Sequence, residues 1–413
     1  MTRLPTLEDL APGGLAGLAG TGVLVRVDFN VPLTAAGEVA DATRIEEALS
    51  TLVALADAGA RVVLASHCGR PKDAPDPRYS LRPVAATTAE LLGRPVAFAA
   101  DTVGPEARRV TAALADGELC LLENLRFQPG EKGNDADFAE RLAALVRHHG
   151  EGAYVNDAFG TAHRAHASVV AVAERFDRRA AGRLMVREVE SLGRLLGEPE
   201  RPFAALLGGA KIEGKIDTLD NLLGRLDMLL VGGGMANTFL AAQGRDLGPS
   251  LVERERLDLA RQILARAAER GVEVLLPGDL VVTDDLDAPG RVEVVAADVA
   301  PWPEGLKAVD VGPATRRAFV AALERARTVF WNGPLGVFER PPFDAGTRAV
   351  AESLAGARER GAFAVVGGGE TVAAVRAAGV TAALGHVSTG GGASLEFLAG
   401  KVLPGLAALE AGR

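Results

Sequence analysis

Short apolar runs, each closed by a polar or glycine-rich turn and followed by a helical pattern, recur along the chain. Residues 22–27, 61–65, 119–122 and 153–155 have the length and composition of buried strands. Each ends in a polar cluster: Asp28-Phe29-Asn30-Val31-Pro32, Ser66-His67-Cys68-Gly69-Arg70-Pro71, Glu123-Asn124-Leu125-Arg126-Phe127, and Asn156 through Arg164. Asp41 is the expected N-cap of a helix that carries Arg44 in its first turn, runs through Leu55 and stops at Gly59. A polar loop over 73–78 precedes Ser80, which caps a helix to about Leu92, and 134–146 is helical. Residues 183–196 read as a charged helix with Leu184, Val189, Leu192, Leu195 and Leu196 on one apolar stripe. Gly197, Pro199 and Pro202 follow, and a domain boundary is expected there.

The second half repeats the pattern with different chemistry at the strand ends. Runs at 203–207, 228–231, 272–276, 329–331 and 362–366 end in Gly208-Gly209, Gly232-Gly233-Gly234, Pro277-Gly278-Asp279, Asn332-Gly333-Pro334-Leu335-Gly336 and Gly367-Gly368-Gly369-Glu370-Thr371. Ser388-Thr389-Gly390-Gly391-Gly392 then opens a helix from about Ala393. Strand and helix in alternation imply an α/β fold with mostly parallel sheets flanked by helices. In such sheets ligands bind outside the carboxyl ends of the strands, where every one of these clusters falls.

A length of 413 residues exceeds one core and suits two domains. The formal charge of −9 argues against a general nucleic-acid binder. Cys68 and Cys120 are the only cysteines, too few for a disulfide framework or a C-x-x-C metal site. Residues 1–10 carry Glu8 and Asp9 and lack the apolar stretch of a secretion signal, and no apolar run is long enough to span a bilayer. A soluble cytoplasmic protein is expected.

Arg44, Arg70, Arg126 and Arg164 gather at first-half strand ends or first helical turns, with Asp28, Asn30 and His67 among them. Guanidinium is always charged and matches phosphate oxygens as a fork, so this edge suits a small polyanion. In the second half, Lys211 and Lys215 follow Gly208-Gly209 at a four-residue spacing that predicts both on one face of an opening helix. Glycines and a helix N-terminus favour anions there; the alternative is a solvated turn after an ordinary strand–helix corner. Gly209 to Lys215 fits the first seven positions of a P-loop, but Ile216 offers no hydroxyl to magnesium, so the match is incomplete. Triple glycines at three corners suggest backbone amides facing nucleotide phosphates. A polyanion face and a nucleotide face together suggest phosphoryl transfer, aided by magnesium.

At these positions the chain resembles the phosphoglycerate kinase family. The matching stretches are Arg26-Val-Asp-Phe-Asn-Val-Pro32, Ser66-His-Cys-Gly-Arg-Pro71, Leu122-Glu-Asn-Leu-Arg-Phe127, Asn156 to Ser168, Gly208-Gly-Ala-Lys211, Gly232-Gly-Gly-Met235, Trp331-Asn-Gly-Pro334 with Gly336-Val-Phe-Glu339, and Ser388-Thr-Gly-Gly-Gly-Ala-Ser-Leu-Glu396. They fall in the family's order over nearly the whole chain.

The resemblance implies two Rossmann-like domains with a deep cleft between them. The expected bounds are a phosphoglycerate-binding domain at 1–182, a nucleotide-binding domain at 183–400 that begins with a connecting helix at 183–199, and a segment at 401–413 that returns to the first domain. It implies reversible, Mg2+-dependent transfer of phosphoryl between 1,3-bisphosphoglycerate and ADP, giving 3-phosphoglycerate and ATP, by a monomer whose domains hinge. By the same match Asp28, Phe29 and Asn30 would hold the glycerate end. His67, Cys68, Gly69, Arg70, Arg126 and Arg164 would surround the 3-phosphate. Arg44 and Lys215 would stabilise the phosphoryl in flight, with Lys211 assisting and the amides of Gly391 and Gly392 turned to it. Gly209, Gly233, Asn332, Pro334, Glu339 and Gly368, Gly369, Glu370 and Thr371 would hold the nucleotide, with Glu339 at the ribose and Glu370 at the metal.

Three positions depart from the family's pattern. Glu370 stands where Asp is usual, one methylene longer, at a place where magnesium tolerates little change of geometry. Cys68 stands where Leu is common and is expected to act as a small apolar residue rather than a reactive thiol. Ala171 replaces a frequent Gly, with no interpretation from sequence. Two other functions fit less well. A dinucleotide-dependent dehydrogenase would carry G-x-G-x-x-G after the first strand, where this chain has Asp28-Phe29-Asn30. A silent scaffold would have no need of Arg44, Lys211, Lys215 and Gly390 to Gly392.

Overall fold

The computed structural model describes residues 3–72 and 74–410. The expected polar loop at 73–78 begins at Asp73, which lies outside the described residues, as do 1–2 of the N-terminal stretch and 411–413 of the C-terminal segment. The chain forms two compact units, Met1–Val189 with Val402–Arg413, and Glu190–Lys401. The division falls inside the helix Arg183–Leu196.

The first unit contains β1 (Gly22–Val27), β2 (Arg61–Ala65), β3 (Val96–Phe98), β4 (Leu119–Leu121), β5 (Ala153–Asp157) and β6 (Arg179–Ala181). They form one sheet in the order β3-β4-β2-β1-β5-β6, parallel throughout. All six residues of β1 are buried, as a strand covered by helices on both faces requires. Val23, Val25 and Val27 pack in one cluster with Ile45, Leu52 and Leu55 of the helix Thr43–Asp57. Burying each such side chain contributes roughly 1.5–3 kcal/mol. The N-cap of that helix is Ala42 rather than the expected Asp41, which lies one residue earlier and accepts from Thr43 N–H at 2.9 Å, and Gly59 follows the helix at φ +74°. Near the chain's end, the helix Pro404–Glu410 buries Leu406 and Leu409, and Gly405 N–H bonds the Ala162 carbonyl at 2.8 Å.

The second unit contains β7 (Phe203–Leu207), β8 (Met228–Val231), β9 (Glu273–Leu275), β10 (Asp279–Thr283), β11 (Val292–Ala296), β12 (Lys307–Val311), β13 (Thr328–Asn332), β14 (Phe363–Gly367) and β15 (His386–Val387). Six of these form a second all-parallel sheet, in the order β15-β14-β13-β7-β8-β9. Ala204, Leu206, Val329, Trp331, Ala364 and Val366 join Phe319 in its core.

One expectation is corrected here, and one element is new. Residues 279–311, to which the sequence pattern assigns no element, do not continue the strand–helix alternation but form a three-stranded antiparallel sheet in the order β11-β10-β12. Pro277-Gly278 leaves no room for a crossover helix after β9. The β10–β11 turn is instead tied by Asp284, whose Oδ1 accepts from the N–H groups of Asp285, Gly290 and Arg291 at 2.9, 3.0 and 3.0 Å. Nor do Lys211 and Lys215 share a helical face. Lys211 is exposed in an irregular turn, Lys215 ends a 3-10 turn, and the helix begins only at Ile216. Between them Ile212 is buried, and its N–H donates to the Glu253 carboxylate at 2.5 Å.

Candidate active site

In each parallel sheet the connections reverse direction at one place, and the strand ends there form a crevice. In the first unit it lies between β1 and β5. Asp28 leaves β1 buried, with Oδ2 paired to Arg44 and Oδ1 at 3.7 Å from His67 Nδ1. Asp28 Oδ1 has no hydrogen-bond partner. Behind them Arg26, 1% exposed, donates from Nη2 to His67 Nδ1 at 3.1 Å and from Nε to Ser168 Oγ at 2.8 Å. His67 is itself buried, and its pKa lies well below the ordinary value, first through burial and then through Arg26, Arg126, Arg164 and Arg44. It is therefore neutral at physiological pH.

The turn after β2 is built around Asn124. Its side chain accepts from Cys68 N–H at 3.2 Å and donates to the carbonyls of Cys68 and Tyr79 at 2.7 and 2.9 Å. Asn30 Oδ1 accepts from Gly69 N–H at 2.8 Å, and Arg126 donates to the Gly69 carbonyl. Gly69 takes φ +61°, and a Cβ there would overlap the Tyr79 ring. Arg126 is buried and held below its ordinary pKa by burial, then by Arg164 and Arg26. Arg164 donates from Nε to His163 at 3.2 Å, whereas Arg70 is exposed. Phe29 is fully buried, so only its backbone is positioned by this turn, through N–H to Ser66 Oγ at 2.9 Å. Cys68 lies in the hydrophobic core with its thiol pKa raised by burial, then by Glu123, as befits a small apolar residue.

In the second unit the reversal lies between β7 and β13, and Lys215 occupies it. Its ammonium donates to the carbonyls of Gly208 and, at 2.9 Å, Asn332, one from each strand end. Burial lowers its pKa to about 8, opposed by Glu370. The corners around it are closed by backbone N–H groups. Gly209 N–H meets the Pro334 carbonyl at 2.7 Å, Gly233 N–H the Leu335 carbonyl at 3.0 Å, and Gly333 N–H the Thr371 hydroxyl at 2.7 Å. A cavity of about 290 Å³ opens beside them, lined by Gly209, Gly233, Pro334, Glu339 and Glu370. Its other wall is largely apolar, with Leu251, Leu286, Val309 and Val337 beside Lys307 and Asp310. Asn332, Gly368 and Thr371 stand behind this surface: Gly368 takes φ +92°, and a Cβ there would lie 3.1 Å from Asn332 Nδ2. Gly391, at φ +51°, precedes the helix Gly392–Leu398.

The model of the family described as phosphoglycerate kinase matches residues 15–401. The chain belongs to the phosphoglycerate kinase family. It transfers phosphoryl reversibly between 1,3-bisphosphoglycerate and ADP, giving 3-phosphoglycerate and ATP. The phosphoglycerate kinase of Moorella thermoacetica is 52% identical over 98% of each chain. That of Salinispora arenicola is 52% identical over 99% of this chain and all of the other. Among solved structures, phosphoglycerate kinase from Coxiella burnetii is similar at a TM-score of 0.85, with 39% identity over 99% of both chains. The enzyme from Pyrococcus horikoshii has a TM-score of 0.83 and 32% identity, covering 96% and 97%. Among the described residues no helix is long and apolar enough to cross a membrane, and no group of three or more His, Cys, Asp or Glu is placed to hold a metal ion.

Against this kinase the sequence reading omitted two sets of residues. Arg26, Glu131 and Ser168 support His67 from below, yet Arg26 and Ser168 only end matching stretches, and the Pro129-Gly130-Glu131-Lys132-Gly133 setting of Glu131 has the composition of a surface turn. The cavity's second wall comes largely from β10, β12 and their loops, including Lys307 and Asp310, because the antiparallel sheet was not anticipated. Asp310 is 3% exposed, and its pKa rises to about 7 through burial, against hydrogen bonds from Gly346 and Val311. The alternation of Val292, Glu293 and Val294 after Pro289-Gly290 was the available signal.

Proposed function

We propose that the acid substrate binds at the arginine-bearing strand ends of the first unit and the nucleotide in the glycine-cornered cavity of the second. Arg44 and Lys215, with Lys211 and the amides of Gly391 and Gly392, neutralise the phosphoryl group as it moves. The observation that supports this most strongly is Lys215: a half-buried cation held by two carbonyls at the chain reversal, beside a cavity lined by glycine corners. Asn30, its oxygen already engaged by Gly69, has its amide N–H groups left to donate to the glycerate end. Neutral His67 donates a hydrogen bond to the substrate rather than a proton. Arg70, Arg126 and Arg164 take the 3-phosphate. In the ATP-consuming direction the nucleophile is a carboxylate, ionised near neutral pH, so cations and amides suffice and no general base is required.

A pH profile tests the role of Lys215. The amine is charged below about 8 and neutral above it. The kcat/KM for nucleotide, which reports the free enzyme, falls as pH rises through that value. In Lys215→Arg the falling limb moves to higher pH, because guanidinium keeps its charge. A profile flat through that range contradicts the assignment.

Glu370 is the carboxylate we assign to Mg2+. It is exposed, lines the cavity and sits in the first turn of the helix Gly369–Ala377. Magnesium commonly takes one or two carboxylates together with substrate phosphates, and this donor set fits that habit. When bound, the ion offsets charge on the nucleotide phosphates. Titration calorimetry on Glu370→Asp is expected to show a several-fold change in Mg2+ or MgADP affinity, and identical values for both would refute the assignment. Cytoplasmic location and a monomeric state belong to the same proposal and rest on the family resemblance.

A further inference from the structure

A buried chain of hydrogen bonds reaches His67 from a carboxylate that the reaction scheme does not use. Glu131, 1% exposed in the short helix Pro129–Lys132, accepts at Oε2 from Ser168 N–H at 3.0 Å and at Oε1 from Ser168 Oγ at 2.7 Å. The Ser168 hydroxyl, its proton committed to Glu131, accepts from Arg26 Nε at 2.8 Å. Arg26 donates from Nη1 to the Val27 carbonyl and from Nη2 to His67 Nδ1 at 3.1 Å. We propose that Glu131 and Ser168 are positioning residues that act through Arg26 to hold His67 with its proton on Nε2. The inference rests on the reading that places His67 at the acid substrate.

The direction of each bond fixes the outcome. A guanidinium only donates, so Nδ1 of His67 has to be the acceptor and the ring proton sits on Nε2. Asp28 Oδ1, 3.7 Å from Nδ1, is beyond hydrogen-bond reach and does not draw a proton there. The guanidinium is planar, so anchoring Nε on Ser168 and Nη1 on Val27 sets where Nη2 points. A hydroxyl that gives its proton to a carboxylate is a stronger acceptor for the next donor, which makes the anion of Glu131 felt at Arg26 without direct contact. Glu131 also offsets the crowding of Arg26, Arg126 and Arg164, while His166, 3.7 Å from its Oε1, is lowered to about 4 by burial and those arginines. The arrangement leaves Nε2–H as the ring's donor, fit for a phosphate or carboxylate oxygen.

The test is nitrogen-15 NMR of the imidazoles in the full-length enzyme, with the signals of His67 identified by their loss in His67→Gln. The wild type is expected to show the Nε2–H tautomer alone. Ser168→Ala and Glu131→Gln are expected to give a mixture of tautomers. They are also expected to raise KM for 3-phosphoglycerate on the order of tenfold, the cost of one charge-assisted hydrogen bond, with KM for nucleotide unchanged. Ser168→Ala removes one oxygen and keeps the proposal testable should Glu131→Gln not fold. An unchanged tautomer in a folded variant overturns the proposal. A changed tautomer with unchanged KM for the acid upholds the relay and overturns the placement of His67 at the acid site.

Discussion

Replacing Lys215 by alanine lowers kcat by a factor on the order of 10²–10³, roughly 2.7–4 kcal/mol, the scale for losing one preorganised donor to a developing charge. The ammonium is fixed before substrate arrives, because the carbonyls of Gly208 and Asn332 hold it at the reversal of the sheet. It need not reorganise when charge builds on the transferring group. Its depressed pKa shows what the site pays in desolvation, and the charge lost in the variant is correspondingly hard to replace from solvent. Lys211, exposed in the preceding turn, is expected to matter less. Steady-state kinetics give the check: a variant that keeps its turnover while KM for nucleotide rises would make Lys215 a binding residue only.

Gly333→Ala is expected to destabilise the protein by roughly 2–6 kcal/mol, combining backbone strain with overpacking. Gly333 takes φ +100°, where a side chain is strained whatever space surrounds it. Space is lacking as well. A Cβ would overlap the Gly208 backbone and lie 2.5 Å from Lys215 Nζ. The corner must move, and the ammonium with it, so nucleotide binding weakens together with stability. Gly214→Ala is the control, since Gly214 is not at positive φ and a Cβ there meets nothing within 4 Å. Denaturant unfolding is expected to separate the two variants clearly; equal midpoints would show that the corner tolerates a Cβ.

The parallel sheets were legible because strands such as β1 and β7 are buried along their whole length and read as unbroken apolar runs. The rule that ligands meet strand carboxyl ends then placed the arginines and glycine corners without any contact being known. What stayed hidden depends on partners far along the chain. Lys211 and Lys215 have helical spacing, but the helix begins only at Ile216, and the turn before it is tied to Glu253, far along the chain, through Ile212 N–H. Glu131 is joined to Ser168 and Arg26 only by folding, and nothing local in its Pro-Gly-Glu-Lys setting announces a buried anion. Asp310, an acid inside an apolar strand, likewise takes one of its two partners, Gly346, from far along the chain. The antiparallel sheet did carry a local signal, the acidic turn closed by Asp284, but exposed valines on β11 blurred its alternation.

The account stands most directly on Arg44, which belongs to the acid-binding unit and is assigned to the moving phosphoryl group. Its kcat and both KM values are measured in Arg44→Ala with 3-phosphoglycerate and MgATP, acyl phosphate formation being followed through NADH consumption by an added dehydrogenase. The predicted result is a fall in kcat on the order of 10², about 3 kcal/mol, with KM for nucleotide nearly unchanged. Unchanged turnover with weakened nucleotide binding would contradict the assignment of Arg44 to the transition state, and with it the division of roles between the two units.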